Sequence, residues 1–374
     1  MLYLDHAATT PMRPEVWDAM APFASERFGN SSGSHEVSRR AKNALESARE
    51  QAAGLLGCAP SEIVFTGGGT ESDNLALKGA ALAGGARGGV VTVATEHEAV
   101  LEAAGFLERF GSTVQVVGVD PDGRVPVDSI LSAVDDATAI VSVMAVNNET
   151  GTVQPLDEIV GKIRALDRGI VIHTDAVQAY PYLDLDVGEL DVDLLSLTGH
   201  KFGGPKGAGL LYVRQGTLLE PILHGGGQEL GRRSGTHDVM GAVGLVTAMG
   251  LAHDDRERFA SVVTAERRRF EERLHAVARR TVPDDLASIH HAHLRFPGVR
   301  NETLLVRLDR RGLAASAASA CQSGANTVSH VLTAMGMGAD EARECLRFSF
   351  GWTTSPGDGD RAADIVLDAL EGLS

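Results

Sequence analysis

The stretch Ser196-Leu197-Thr198-Gly199-His200-Lys201-Phe202-Gly203-Gly204-Pro205-Lys206-Gly207 separates two short apolar runs. Val192, Leu194 and Leu195 precede it, and Leu210, Leu211 and Val213 follow. Runs of that length, bounded by glycine and proline, read as buried strands. Between them Thr198, His200 and Lys201 bring a hydroxyl, an imidazole and an amine together, with glycines that let backbone approach a ligand. An amine that is partly desolvated beside phosphate-binding groups loses enough basicity to attack an aldehyde. Lys201 is therefore the candidate Schiff-base lysine. A surface turn with two ordinary lysines is the competing reading, and this stretch alone does not decide between them.

Outward from it, apolar runs alternate with helical patterns. Strands are expected at 63–65, 90–94, 114–117, 140–146, 170–173, 194–197 and 209–213, with a long amphipathic helix from Glu36 to about Leu55. Such alternation predicts an α/β fold with a mainly parallel, doubly wound sheet covered on both faces. Ligands of such sheets sit beyond the carboxyl ends of the strands. Thr70, His97, Asn148, Asp175 and Lys201 each fall just after an expected strand, so they can converge. Past about residue 255 the pattern changes to an Arg/Glu-rich helix, a strand near 293–297, the small-residue stretch 314–324 and a terminal helix. Residues 15–255 are expected to form a large domain, and 1–14 with 256–374 a smaller α+β one.

A chain of 374 residues suits two domains at ~100–200 residues each. Hydrophobic content of 43% and charged content of 22% are those of a globular protein. A net charge of −16 argues against direct nucleic-acid binding. The arginines between 267 and 280 alternate with Glu266, Glu271 and Glu272, which reads as a solvated helix face. The N-terminus lacks the basic-then-apolar signature of a signal peptide, and no apolar run approaches the ~18 residues of a membrane span. Cys58, Cys321 and Cys345 are too few and scattered for a disulfide framework, so a reducing cytoplasm is the expected compartment. His290, His291 and His293 have no acidic or cysteine partner at ligand spacing and read as a polar strand edge, so no metal is expected.

Thr66-Gly67-Gly68-Gly69-Thr70-Glu71 follows the first expected strand and opens a helix, which directs free N–H groups and a positive dipole end at an anion. The run lacks the lysine of a P-loop and the spacing of a dinucleotide fingerprint, so a phosphate monoester fits better. Pyridoxal 5'-phosphate requires an amine, a carboxylate for its ring nitrogen and a phosphate cup. Lys201 offers the amine, and Gly69, Thr70, Thr198 and His200 the cup. Asp175 offers the carboxylate, although taken by itself a helix N-cap is the stronger reading of it. His97 is a ring-stacking candidate and proton carrier, or a satisfied loop histidine.

The chain resembles the NifS-like cysteine desulfurases of the class V aminotransferase family. The resemblance rests on Tyr3-Leu4-Asp5-His6-Ala7-Ala8-Thr9-Thr10, Gly69-Thr70-Glu71-Ser72-Asp73-Asn74, Glu96-His97 and Asn147-Asn148-Glu149-Thr150-Gly151. It continues in Asp175-Ala176-Val177-Gln178, Gly199-His200-Lys201, 224–229, 233–236, Ser319-Ala320-Cys321 and Arg347-Phe348-Ser349. It implies a fold-type I pyridoxal phosphate enzyme that converts L-cysteine to L-alanine and leaves a persulfide on Cys321. Implied roles are Lys201 as cofactor lysine, Asp175 at the ring nitrogen, Gln178 at the phenolic oxygen and His97 over the ring. Thr70, Thr198 and His200 would hold the phosphate, joined by Thr236 from the partner of a homodimer. Asn148 and Arg347 would receive the substrate carboxylate, a role suited to a planar guanidinium. An acceptor protein, an iron–sulfur scaffold or a thiolation enzyme, would take the sulfur.

Departures from the family pattern are Ser31 after Asn30 in place of proline, and Ala318 where glycine is common. The chain stops at Ser374, short of the tail that docks scaffolds in related enzymes, so the acceptor stays open. A selenocysteine lyase shares all these residues and is the nearest rival. An aminotransferase needs no cysteine near the site, and a non-catalytic sulfur carrier needs neither Lys201 nor His97.

Overall fold

The computed structural model describes residues 1–83, 88–317 and 328–373. Its strands are β1 (Leu2–Tyr3), β2 (Ile63–Thr66), β3 (Gly89–Val93), β4 (Val114–Val117), β5 (Thr138–Ser142) and β6 (Val171–Asp175). They continue as β7 (Leu194–Thr198), β8 (Gly209–Val213), β9 (Arg279–Arg280), β10 (His291–Arg295), β11 (Leu313–Ala314) and β12 (Cys345–Ser349).

Seven strands form the central sheet in the order β2-β8-β7-β6-β5-β3-β4. Only β8 runs against its neighbours, so the sheet is mixed and mostly parallel. This is the α/β architecture that the alternation predicted. The expected strand 140–146 is shorter at its end, although Val143 and Ala145 still donate to the carbonyls of His173 and Asp175.

The sheet buries both faces, as its continuous apolar runs require. On one face Leu195, Leu197, Leu210 and Tyr212 pack with Leu45, Val16, Leu245 and Tyr180. On the other, Leu194, Leu211, Val90 and Ile140 meet Leu75 and Leu77 of helix Gly69–Leu82 and Val100 and Leu107 of helix Glu98–Glu108. Truncating such a side chain, Leu197→Ala for example, costs ~2–5 kcal/mol.

A second cluster gathers Leu2 and Leu4 with Phe259, Val263, Phe270, Leu294, Phe348 and Val366. It lies under the antiparallel sheet β12-β10-β9 and the helices Arg256–Leu274, Asn301–Arg310 and Asp358–Leu370. β1 pairs in parallel with β11, which brings the N-terminal strand to this part of the molecule. These contacts support a division into 15–255 and 1–14 with 256–374, which we propose.

Two surface readings change. His290, His291 and His293 are buried, and β10 is the middle strand of its sheet rather than an edge. His290 stacks on Tyr182 with centroids 3.6 Å apart, and His293 bonds to Thr281 at 2.7 Å. Glu266 and Arg267 are also buried rather than solvated. Glu266 accepts the N–H groups of Gly357 and Gly359, and Arg267 pairs with Glu271 and Asp284. Alternating charge marks a helix surface, but it does not reveal which positions a second helix covers.

Candidate active site

Helix Gly69–Leu82 begins at the carboxyl end of β2, with Gly68 as its N-cap at φ 143°. A Cβ on Gly69 would lie 2.9 Å from Val177 Cγ2, and one on Gly209 would lie 2.7 Å from the Gly68 Cα. The glycines thus leave space against Val177 and Thr198 that any side chain would fill. Ser72 anchors the helix start by donating to the Leu210 carbonyl at 3.0 Å. Thr70 in the first turn is exposed, and Thr198, at the end of β7, is buried and donates to Ala208 at 3.2 Å.

Lys201 follows β7 in a short 3₁₀ turn, and its Nζ donates to the carbonyls of Ala7 (2.6 Å) and Ala8 (3.1 Å). Gln178 Nε2 donates to the same Ala7 carbonyl at 2.8 Å. His200 Nδ1 lies 3.2 Å from Thr9 Oγ1, and its ring is held down to about 4 by burial and by the charges of Lys201 and Lys206. The N-terminal segment therefore reaches the cup and the lysine together.

Asp175 closes β6 and accepts the Val177 N–H at 2.9 Å. Burial raises its pKa, against the pull of His97, the Val177 N–H and Lys201. His97 caps helix Glu98–Glu108, its Nδ1 accepting the Ala99 N–H at 3.0 Å. The neutral ring consequently carries its proton on Nε2. Burial lowers the His97 pKa, Asp175 raises it and Lys201 lowers it. Lys201, His97 and Asp175 are thus one electrostatic group at the strand ends.

Beneath it lie two further buried carboxyls, Asp73 and Glu96. Burial and the Asp175 charge raise both well above the carboxylate range. Asp175 differs from them in having His97 and Lys201 pull its pKa down, against its own burial.

Arg347, in β12, is buried, with Nη2 on Asp5 Oδ1 (2.8 Å) and Nη1 on the Asn148 carbonyl (2.7 Å). Its Nε has no hydrogen-bond partner among the described residues. Gly151, at φ +80°, lets the Asn148 loop press on β10, since a Cβ there would lie 2.4 Å from that of His291.

A family model of the class V aminotransferases matches residues 2–361. The chain belongs to the class V aminotransferase family. Among its relatives, cysteine desulfurase IscS of Methanosarcina thermophila is 41% identical over all of this chain and 92% of its own. Putative cysteine desulfurase IscS 1 of Bacillus subtilis is 42% identical over 100% and 99%. A solved NifS-like protein superimposes with a TM-score of 0.93 at 34% identity, covering 99% of both chains. SspA in complex with cysteine gives 0.82 at 38% identity over 94% of this chain and 99% of that one. Members of this family use pyridoxal phosphate, and the fold is their fold-type I.

Of the expected site residues, Gly69, Thr198, Asp175, Gln178, His97, His200 and Lys201 surround the strand ends, with Thr70 at the helix start. Arg347 and Asn148 meet each other. Thr236 is exposed and lines a cavity of about 80 Å³ with Thr66, Gly67, Arg233 and His237. Cys321 lies outside the described residues. Cys58 and Cys345 are pushed up to about 12, chiefly by burial, and so remain thiols. Sequence reading assigned no role to Asp5, Ala7, Asp73, Glu96 or Glu149. All five lie inside the quoted motifs, but their parts are played by a backbone carbonyl or by contacts across long sequence distances.

Proposed function

We propose that this protein is a cysteine desulfurase that uses pyridoxal 5'-phosphate, forms L-alanine from L-cysteine and transfers the sulfur through Cys321. The observation that carries the reading is the coupled group Lys201, His97 and Asp175 beside the glycine cradle, with Arg347 aimed at the Asn148 loop. The cradle at Gly68–Gly69 with Thr70, Thr198 and His200 fits a phosphate, and the buried Asp175 carboxyl, beside Lys201 and His97, fits a ring nitrogen. Gln178 would hold the phenolic oxygen and His97 the ring face. Thr236, following the family resemblance, would complete the phosphate site of a partner copy. When bound, the cofactor supplies an electron sink for the α-carbon of the substrate.

The chain's own groups then divide the work. Arg347 and Asn148 hold the substrate carboxylate. Lys201 Nζ takes the α-proton and returns protons to carbon, and His97, with its proton on Nε2, is placed to donate one. The Cys321 thiolate attacks the substrate sulfur: the S–S bond forms, the Cβ–S bond breaks, and its electron pair stays with the carbon skeleton, which is protonated to alanine. An acceptor protein then receives the sulfur.

Borohydride treatment of the reconstituted protein, followed by peptide mapping, tests the first half, and the label should fall on Lys201. Incubation with cysteine and a thiol tests the second, and sulfide and alanine should appear in equal amounts. A label elsewhere, or alanine without sulfide, overturns the reading. Turnover of selenocysteine alone would make the lyase the better description.

A further inference from the structure

The turn that carries Lys201 is gripped by the N-terminal segment. Thr10, 4% exposed, donates from Oγ1 to the His200 carbonyl at 2.8 Å and accepts the Gly203 N–H at 2.7 Å. Its own N–H donates to the same His200 carbonyl at 2.8 Å. One hydroxyl thus bridges the residues on either side of Lys201-Phe202. Arg13 extends the grip, its N–H donating to the Gly203 carbonyl at 2.9 Å. Gly203 permits that approach at φ +88°, since a Cβ there would lie 2.6 Å from Arg13 Cγ. The upstream half of the turn is fastened separately. There the Gly199 N–H and the Thr198 hydroxyl both donate to the Ala208 carbonyl, at 3.0 and 3.2 Å.

The same segment receives the amine. Lys201 Nζ meets the Ala7 and Ala8 carbonyls, and residue 7 is pinned on both sides, its carbonyl by Gln178 and its N–H by Ser349 Oγ at 2.9 Å. Ser349 lies two positions after Arg347 in β12, and Asp5 pairs with Arg347. The stretch from Asp5 to Thr10 therefore runs from the arginine to the lysine. A lysine side chain carries about 2 kcal/mol of rotamer entropy, and two fixed acceptors remove part of that freedom before any reaction.

We propose that Thr10 is a positioning residue for Lys201: by bridging His200 and Gly203 it sets the turn in register with the Ala7 and Ala8 carbonyls, which dock the amine whenever it is not bonded to the cofactor. This rests on the reading above of Lys201 as the cofactor lysine. The alternative to exclude is that Thr10 only secures the N-terminal segment and so supports the cofactor site as a whole.

Two measurements on the 374-residue chain, freed of cofactor, separate these. Pyridoxine 5'-phosphate has no aldehyde to bond an amine, so its affinity, read by calorimetry, reports the phosphate and ring contacts without the lysine bond. The absorbance change on mixing with saturating pyridoxal 5'-phosphate reports the rate at which the lysine bonds the cofactor. Thr10→Val should slow that bonding about ten-fold, because a buried hydroxyl bridge is lost and the Gly203 N–H is left unmet. Pyridoxine 5'-phosphate affinity should stay within about two-fold. Thr10→Ser keeps the hydroxyl and should restore the rate. Thr10→Ala removes the bridge without adding a methyl group and should show the same split, which covers the case in which Thr10→Val fails to fold. Equal losses in both measurements, a loss of affinity alone, or an unchanged bonding rate would overturn the proposal while leaving the desulfurase reading intact. A wild-type chain that bonds the cofactor through a residue other than Lys201, mapped after borohydride, would overturn both.

Discussion

In the proposed mechanism Lys201 and Cys321 act on different bonds, and that difference makes their substitutions informative. There Lys201 would address the α-carbon proton, so Lys201→Ala should abolish alanine and sulfide production together. Cys321 would address only sulfur, so Cys321→Ser should retain the cofactor and still change its absorbance on adding cysteine. It should lose nearly all desulfuration, because a serine hydroxyl is not ionised near neutral pH. Sulfide release from cysteine by Cys321→Ser at the wild-type rate would exclude the thiolate attack. At this scale the sequence was legible in its side chains: Lys201, His97 and Asp175 stood out by type and position, and the structure brings them together. The groups that hold them were not legible. The Ala7 carbonyl that receives Lys201 and Gln178 is backbone, and nothing in the identity of an alanine announces it.

Among the elements, helix Gly69–Leu82 matters most, because its start is fixed by contacts that only glycine permits. Gly69 faces Val177 Cγ2 at a distance where an added Cβ is already tight, and a branched side chain would fill the cradle or push the helix off β8. Gly69→Val should therefore weaken cofactor retention by at least about ten-fold, measured by dialysis and absorbance. The unfolding midpoint of the apoprotein should move much less, because the helix keeps Leu75 and Leu77 in the core. Equal losses of retention and apoprotein stability would assign Gly69 to packing alone. The sequence announced this element through its glycine run after a strand. It did not announce the contacts of β10, where three histidines suggested a polar edge. Alternation along a strand tells that one face is polar, whereas the burial of that face under Tyr182 and Thr281 is set by segments far away in sequence.

Over the whole molecule, two sets of buried ionisable groups oppose each other as pH changes. The histidines are held below their ordinary value of 6.5 by burial: His6 to about 4, His173 and His293 to about 3. Below pH 6.5 the unfolded chain binds protons that the native state refuses, so their contribution is present above that pH and is lost as pH falls. The buried carboxyls act in the other sense. Glu149 is raised from 4.5 to about 7 by burial, against the Ser329 bond and Arg347. The native state then holds a proton that the unfolded chain has released, so this contribution is present below pH 4.5 and is lost as pH rises to about 7. A shift of that size corresponds to at most on the order of 3 kcal/mol. Between about pH 4.5 and 6.5 the two sets therefore act on wild-type stability in opposite directions. Single substitutions should expose each one. The melting temperature of Glu149→Gln relative to wild type should rise as pH increases from 4.5 to 7, because the amide has no proton to lose. That of His293→Gln should rise as pH falls below 6.5, because the amide has no proton to refuse. Differences that do not change with pH would mean that neither side chain titrates between the native and unfolded states. Differences that change in the same direction for both variants would mean that the opposing signs derived from burial are wrong.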